Sequence, residues 1–546
     1  MKSTAAIAQI LKQEGVTLVG CIPSHPLLDA LALEDIRLII PRQERVGINM
    51  MDAYSRVTNG QRIGVFLMQA QAGAENGYPG VAQAHDDSTP MLLIPTGASR
   101  NRIGVHPTFD TIRSYATITK WADRINMSSR ISEVFRRAFS ALRTGRPGPI
   151  LLELPTDVAT EEINESDVAY QPGSPHRSSG DPSDISAAVT ALLEARLPVL
   201  HAGQGVLYAQ AWNELIRLAE LLNAPVMTTL GAKGVFPEDH PLSLGSGGST
   251  TTAAVVHFLT EADLVFGVGC SLTRTEFGVK IPSGKVIIHN TNSSEDLNKD
   301  YVTDHAILGD TKLVLQQIIQ ELEGRGTAQR GSPEITETIK SVKESWMSAW
   351  APKMRSEEIP INPYRVVWDL MQTLDRHESI VIPDSGSPRD ELSPFFETLE
   401  PRGFIGWGKS TQLGSSLGFA MGAKLAAPDK VVVNVMGDTA FGMVGLDFET
   451  AVREKIPIIT IVLNNSGMGI YGPDQFPIAQ ERYHIKDVTG RYADVVAAMG
   501  GHSRRVEQPI EVVDAIKEAI NLVKNGQPAF IEVITCKEHA FSDRLR

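Results

Sequence analysis

The chain has 546 residues, 42% of them hydrophobic and 21% charged, with 51 basic against 64 acidic side chains for a formal net charge of −13. At roughly 100–200 residues per domain, that length asks for about three domains rather than one core. The acidic balance leaves no basic face for nucleic acid, no run of about 18 apolar residues could span a membrane, and Cys21, Cys270 and Cys536 are too scattered for a metal knuckle or disulfide framework.

The opening MKSTAAIAQILKQEGV sets its apolar residues at helical spacing among Lys, Gln and Glu. It predicts an amphipathic first helix rather than a secretory signal, so with the scattered cysteines a reducing cytoplasm is the expectation. Apolar runs at 37–40, 64–68, 91–96 and 150–153 predict strands of a first domain over 1–170. YQPGSPHRSSGDPSD, residues 170–184, is a linker by its Pro, Ser and Gly content. Strands at 198–202, 225–229, 264–268 and 285–289 then predict a central domain over 183–325, in which Gly267 and Gly269 read as close-packing turn residues. A polar helical stretch over 327–355 leads to strands at 379–383, 430–436, 457–463 and 529–534, in a third domain over 355–546. Short Val- and Ile-rich strands alternating with helices predict an α/β fold of three doubly wound parallel-sheet domains.

Open parallel sheets bind ligands beyond the carboxyl ends of their strands, where the following helices point their N-termini. Two strand ends in VVVNVMGDTAFGMVGLDFETAVREKIPIITIVLNNSGMGIYG, residues 431–472, carry residues ill suited to a strand interior: Gly437-Asp438 and Asn464-Asn465. Gly437 would let the backbone turn sharply and approach a ligand, and Asp438 offers a hard anionic oxygen. The helix behind them presents unpaired N–H groups to phosphate, and Asn465 adds a neutral oxygen from the neighbouring strand. Magnesium takes few protein ligands and completes its shell with phosphate oxygens, so one carboxylate, one amide and a backbone carbonyl suit a metal–diphosphate clamp. The same pairs also serve as ordinary turn residues, a reading that the dipeptides alone leave open.

Gly437-Asp438-Thr439 followed by Asn464-Asn465 resembles the signature of the thiamine diphosphate-dependent enzymes, and the resemblance runs along nearly the whole chain. PRQERVGINMMDAYSRVTNGQRIGVFLM resembles the segment carrying that family's cofactor-activating glutamate, here Glu44. TTLGAKGVFPEDHPLSLGSGG resembles the central domain of the acetolactate synthase and benzoylformate decarboxylase branch. KSTQLGSSLGFAMGAKLAAP resembles the stretch that supplies an apolar wedge under the thiazolium ring, here Leu417. The resemblance implies thiamine diphosphate and Mg2+ as cofactors. Asp438, the Asn465 side chain and the Gly467 carbonyl would take the metal. Thr439 and the turn Asp384, Ser385, Gly386, Ser387 would meet the diphosphate, with Gly437 and Met468 beside it. The carbonyl near Ser415 would accept from the exocyclic amine. Glu44 would bond the pyrimidine nitrogen and favour the imino tautomer that removes the C2 proton, and in a desolvated slot its carboxyl is expected to keep a proton near neutral pH.

The activity implied is that of a carboligase or decarboxylase acting on a 2-oxo acid through a C2 carbanion and an enamine, acetolactate synthase-like. Cleavage of a 2-hydroxyacyl-CoA or oxalyl-CoA is an alternative, with the tail FSDRLR near the CoA. A catalytically degenerate homologue is another, against which the presence of Glu44 and Asp438 counts. In MQAQAGAENGYPG, Gln69 and Gln71 stand where some relatives place a histidine or a glycine-rich turn. VHPTFD is similar to the place where simple 2-oxo acid decarboxylases carry two adjacent histidines, with His106 alone present here and Pro107 in the second position. Gln69 and His106 are therefore candidate catalytic residues, and Gln71 and Phe109 candidate substrate contacts, while His85 is assigned to structure. Flavin is not expected to be required, because IIHNTNSSEDL lacks the paired acidic residues of an Asp-Ile-Asp-Pro run. Glu44 and the diphosphate site lie on different domains, which in this family meet across subunits, so the resemblance implies a homodimer at minimum and a homotetramer as the expected assembly.

Overall fold

Three parallel sheets follow one another along the chain in the computed structural model, which describes residues 1–326, 333–407 and 409–542. The start of the expected 327–355 helix and the last four residues of the FSDRLR tail lie outside the described residues.

The first sheet contains β1 (Leu18–Cys21), β2 (Arg37–Ile39), β3 (Gly64–Met68), β4 (Met91–Gly97), β5 (Trp121–Arg124) and β6 (Pro149–Pro155), in the order β2-β1-β3-β4-β6-β5. The second contains β7 (Pro198–Ala202), β8 (Val226–Thr229), β9 (Ser243–Gly247), β10 (Leu264–Val268), β11 (Val286–Thr291) and β12 (His305–Leu308), in the order β12-β11-β10-β7-β8-β9. The third contains β13 (Ser379–Pro383), β14 (Val431–Gly437), β15 (Ile459–Asn464), β16 (His502–Val506) and β17 (Ala529–Ile534), in the order β13-β14-β15-β17-β16. Every ladder between these strands is parallel, and helices cover both faces. Interior strands such as β4 and β14 are accordingly buried along nearly their whole length, which is why they read as continuous apolar runs.

Five strands lie outside the apolar runs picked out above: β1, β5, β9, β12 and β16. Four of them sit at sheet edges. An edge strand packs on one side only, so Trp-Ala-Asp-Arg in β5 and His-Ser-Arg-Arg-Val in β16 pair well without being apolar. Interior β1 is short and interrupted by Gly20, where a Cβ would come 2.7 Å from the Phe66 ring. The polar stretch after the second domain forms the helix Pro333–Met354, and its indoles face inward: Trp346 stacks on Phe395 at 4.6 Å between centroids and Trp350 lies 5.0 Å from the same ring.

The first and third domains share one apolar core, running from Val46, Met50 and Phe66 through Leu417, Phe419 and Met421 to Phe441 and Phe530. At its centre the helix Glu44–Val57 lies on the helix Ser415–Ala426 with almost no side chain between them. A Cβ on Gly418 would stand 2.5 Å from the Val46 carbonyl oxygen, and one on Gly422 only 1.9 Å from that of Met50. Near the other end of the first helix, buried Arg56 bonds Asp52 at 2.9 and 3.0 Å, Asp87 at 3.3 Å and the Gly406 carbonyl at 3.4 Å. Its charge is balanced within the first domain while it reaches across to the third.

Candidate active site

The carboxyl ends of β14 and β15 are neighbours, since Gly437 pairs with Leu463. A cavity of about 110 Å³ opens beyond them, lined by Ser385, Gly386, Ser387, Gly437, Asp438, Thr439, Asn465, Gly467 and Met468 among others. Nine of the residues expected at the cofactor thus converge from three separate stretches of chain. Gly437 is extended, with φ −80°, so the turn itself does not demand glycine. What the missing side chain leaves is room: a Cβ on Gly437 or on Gly386 would meet nothing within 4 Å.

Asp438 opens the helix Asp438–Val444 and is 2% exposed. Its Oδ1 accepts from the Thr439 N–H at 2.5 Å and the Thr439 hydroxyl at 3.2 Å, and its Oδ2 from the Gly467 N–H at 3.1 Å. Burial raises its pKa, while the backbone donors pull the other way. The two asparagines divide the work. Asn464 donates to Glu532 at 2.7 Å and accepts from the Ser466 N–H at 3.0 Å, locking the strand end. Asn465 keeps a buried Oδ1 with no partner among the described residues. An orphan amide oxygen beside a fixed carboxylate, above a glycine cradle, fits a hard cation carrying an anionic ligand. The Asp438 carboxylate and the Asn465 amide oxygen are hard oxygen donors of the kind magnesium takes.

Besides Glu44, three expected cofactor residues stand back from this cavity. Asp384 is fully buried and its carboxylate accepts from the backbone N–H groups of Ser385 at 2.8 Å, Gly414 at 2.9 Å and Ser416 at 3.0 Å. It fixes the turn entering the helix Ser415–Ala426, in which Gly414 has φ +87°. Ser415 is buried and donates to the Gln412 carbonyl at 3.0 Å. Leu417 is fully buried within the shared core. Two leucines line the cavity instead: Leu463 at the end of β15, and Leu413 on the turn just before the helix. Leu417 is followed by Gly418, whose close approach to the Val46 carbonyl sets that part of the helix against the core. Glu391, Ile470 and Tyr471 also line the cavity and carried no motif.

Glu44 is the first residue of its helix and is 6% exposed. It is not among the residues lining the cavity just described. A Cβ on Gly73 would lie 3.0 Å from its Oε1 and 2.8 Å from the Gln69 Cβ, so Gly73 allows the loop after β3 to close over the carboxyl and brings Gln69 alongside it. Gln69 and Gln71 are exposed, Gln71 with φ +55°. His106, on the loop after β4, is also exposed, and Phe109 is half-buried against the shared core. These four residues and Glu44 gather at the carboxyl edge of the first sheet. His85 is exposed beside Asp86 at 3.4 Å.

A second cavity, about 1030 Å³, lies where the first and second domains meet, beyond the ends of β7 and β10. Gly203, Gly269, Arg146, Asp296, Lys312 and Lys409 are on its wall. Gly269 has φ +57° and a Cβ there would sit 2.8 Å from the Val206 nitrogen, whereas Gly267 only packs against Cys270 and Leu272. Asp296 is claimed by Arg146 at 2.6 Å and Lys299 at 2.9 Å, and burial pushes the Lys409 ammonium down to about 8.

Among the described residues no helix is long and apolar enough to cross a membrane. The chain matches the N-terminal TPP binding domain of the thiamine pyrophosphate enzymes over residues 1–117, their central domain over 185–318 and their C-terminal TPP binding domain over 384–533. It is 30% identical to the probable acetolactate synthase large subunit of Methanococcus aeolicus, over 95% of this chain and 90% of that protein. It is also 30% identical to the probable acetolactate synthase large subunit of Methanocaldococcus jannaschii, over 98% and 92% respectively, and 26% identical to a glyoxylate carboligase of Escherichia coli, over 98% and 93%. Three domain matches that fall one on each sheet, and relatives aligned over nine-tenths or more of both chains, agree: the chain belongs to the thiamine diphosphate-dependent enzymes, in their acetolactate synthase-like branch.

Proposed function

We propose that this chain is a Mg2+- and thiamine diphosphate-dependent carboligase that joins 2-oxo acids, as acetolactate synthases do. The observation that carries the reading is the meeting of buried Asp438, the unpartnered Asn465 Oδ1 and the glycine cradle at two adjacent strand ends. Asp438, Asn465 and the Gly467 carbonyl would hold the metal. Ser385, Ser387, Thr439 and the N–H groups around Gly386 would hold the diphosphate. Asp384 would act one step removed, by fixing the turn that carries Leu413, and Leu413 replaces Leu417 as the side chain that would bend the cofactor. When bound, the cofactor supplies a nucleophilic carbon and an electron sink for decarboxylation. Glu44 would hold a proton at the pyrimidine nitrogen, and Gln69, Gln71, His106 and Phe109 would orient the substrate and control protons at the same sheet edge.

Glu44 stands apart from the diphosphate cavity of its own chain, which supports a site completed by a second copy and hence a homodimer or homotetramer. Exposed apolar side chains of the third domain support the same assembly: Leu446 is 60% exposed, Phe476 60%, Ile478 67% and Tyr483 74%, apolar area of the kind a subunit covers. Light scattering on the purified protein should give a multiple of the 59.3 kDa chain, and a monomer with full activity would refute this. Flavin is not required on this reading, because the run 287–297 offers no Asp-x-Asp pair and Asp296 is already held by two cations. The larger cavity has room for a dinucleotide, so the absorption spectrum decides: a stoichiometric flavin band would overturn the point.

The central test strips the protein of cofactor, restores thiamine diphosphate with magnesium, and follows carbon dioxide and acetohydroxy acid from a panel of 2-oxo acids. Carbon dioxide with a matching yield of acetohydroxy acid is expected. Aldehyde alone would make the protein a decarboxylase, and no turnover of any member would remove the reading.

A further inference from the structure

One wall of the diphosphate cavity carries an acid that the assignments above leave unused. Glu391 stands one turn after Ser387 on the helix Ser387–Phe395, and both line the cavity with Asp438 and Asn465. It is 2% exposed, and its Oε2 has no partner among the described residues. We propose that Glu391 is a cofactor-binding residue that works as a neutral acid, donating a hydrogen bond from its carboxyl to a diphosphate oxygen. The proposal rests on the thiamine diphosphate reading and deepens it.

The surroundings explain why the carboxyl is neutral. Among the described residues no cation acts on the carboxyl: Arg389 bonds Asp390 at 3.0 Å and lies over the Phe277 ring at 4.7 Å, and Lys353 pairs with Glu538. Glu538 itself takes Asn362 at 3.0 Å. Tyr364 donates its hydroxyl to the Ala540 carbonyl at 2.8 Å, and the Cys536 thiol points to Glu358 at 3.6 Å. What faces Glu391 is therefore burial together with the charges of Glu538 and Asp390, and these push its pKa up to about 8. The Tyr364 hydroxyl and the Cys536 thiol are pushed up by burial as well, the thiol to about 12, so neither titrates near Glu391.

An ionised carboxylate here would oppose a diphosphate across a small, poorly solvated space, whereas the protonated form offers the one kind of group an anion needs, a donor. A bound diphosphate would raise the pKa of Glu391 further. The sign follows: affinity is full while the carboxyl holds its proton and falls as pH rises past about 8, by ~10-fold per unit for a single linked proton. The cofactor's diphosphate is already ionised throughout that range.

The test is calorimetric titration of the apoprotein with thiamine diphosphate at fixed Mg2+, from about pH 6.5 to about pH 9.5, for the wild type and Glu391→Gln. The Gln variant keeps a donor of the same length and cannot ionise. The wild type should lose affinity ~10-fold per unit above its break and take up about one proton per cofactor there, read from buffers of different ionisation heat. Glu391→Gln should bind with flat affinity and no proton uptake. A flat wild-type profile overturns the proposal whether or not the variant folds, and so does a variant that loses affinity in parallel with the wild type. If the wild type binds no thiamine diphosphate at any pH, the broader functional reading fails instead.

Discussion

The two cavities differ in how they are made. The 110 Å³ cavity stands on one sheet, its polar walls supplied by strand ends and the turns that follow them, while the 1030 Å³ cavity is a seam whose walls come from two domains and a loop of the third. The first carries its chemistry in short consecutive pairs, and the second in residues as far apart as Asp87 and Lys409. A site built on strand ends can lose its chemistry without loosening the fold; a site built on a seam cannot be altered without altering how the domains hold together.

Five substitutions test that distinction, taken from the largest expected effect down. Glu44→Gln should lower turnover by ~10²–10⁴-fold, the range for a lost acid–base group, while melting temperature and cofactor affinity stay close to wild type. Equal loss of cofactor affinity would mean that Glu44 holds the cofactor rather than acting on it. On the seam side, Arg56→Leu leaves Asp52 and Asp87 buried without their cation and should cost about 3–5 kcal/mol in chemical denaturation. A stable Arg56→Leu protein would show that the domains are held chiefly by their apolar contacts. Leu417→Ala opens a hole in the shared core and should cost about 2–5 kcal/mol, whereas Leu413→Ala should leave stability nearly untouched and reduce turnover. The reverse pattern would return the wedge role to Leu417. Asp438→Ala should weaken cofactor and magnesium binding by ~10–100-fold, the order of a lost charged contact, with an unchanged melting temperature for the apoprotein. Unaltered affinity would remove Asp438 from the metal.

Much of this was legible in the sequence where one physical constraint dominates. Buried strands must be apolar on both faces, so β3, β4, β10, β14 and β15 stand out, and ligand-binding strand ends break that pattern with Gly437-Asp438 and Asn465. Edge strands obey a weaker constraint, and β5 and β16 pass for loops. Asn464 and Asn465 are alike on paper, and only the position of Glu532 makes one a lock and the other a free acceptor. Leu413 and Leu417 lie four residues apart on either side of Gly414, and only the fold shows that the first lines the cavity while the second is buried in the shared core. Asp384 carries a motif position yet spends its oxygens on a turn. Glu391 had no signature at all, because a carboxyl becomes a neutral donor through its neighbours and not through its spacing.

The bare contact at Gly418 and Gly422 sets a mechanical rule for the whole molecule. Side chains between packed helices act as bearings, rotating and sliding to absorb small displacements, but two backbones that touch have no backlash. The helix that starts with Glu44 and the helix that follows Leu413 therefore move as one part, and any strain at the first sheet edge reaches the third domain undamped. The loops after β3 and β4, which carry Gln69, Gln71, His106 and Phe109, lie outside this contact. New substrate preferences should be sought there, with the glycine hinge pin left alone.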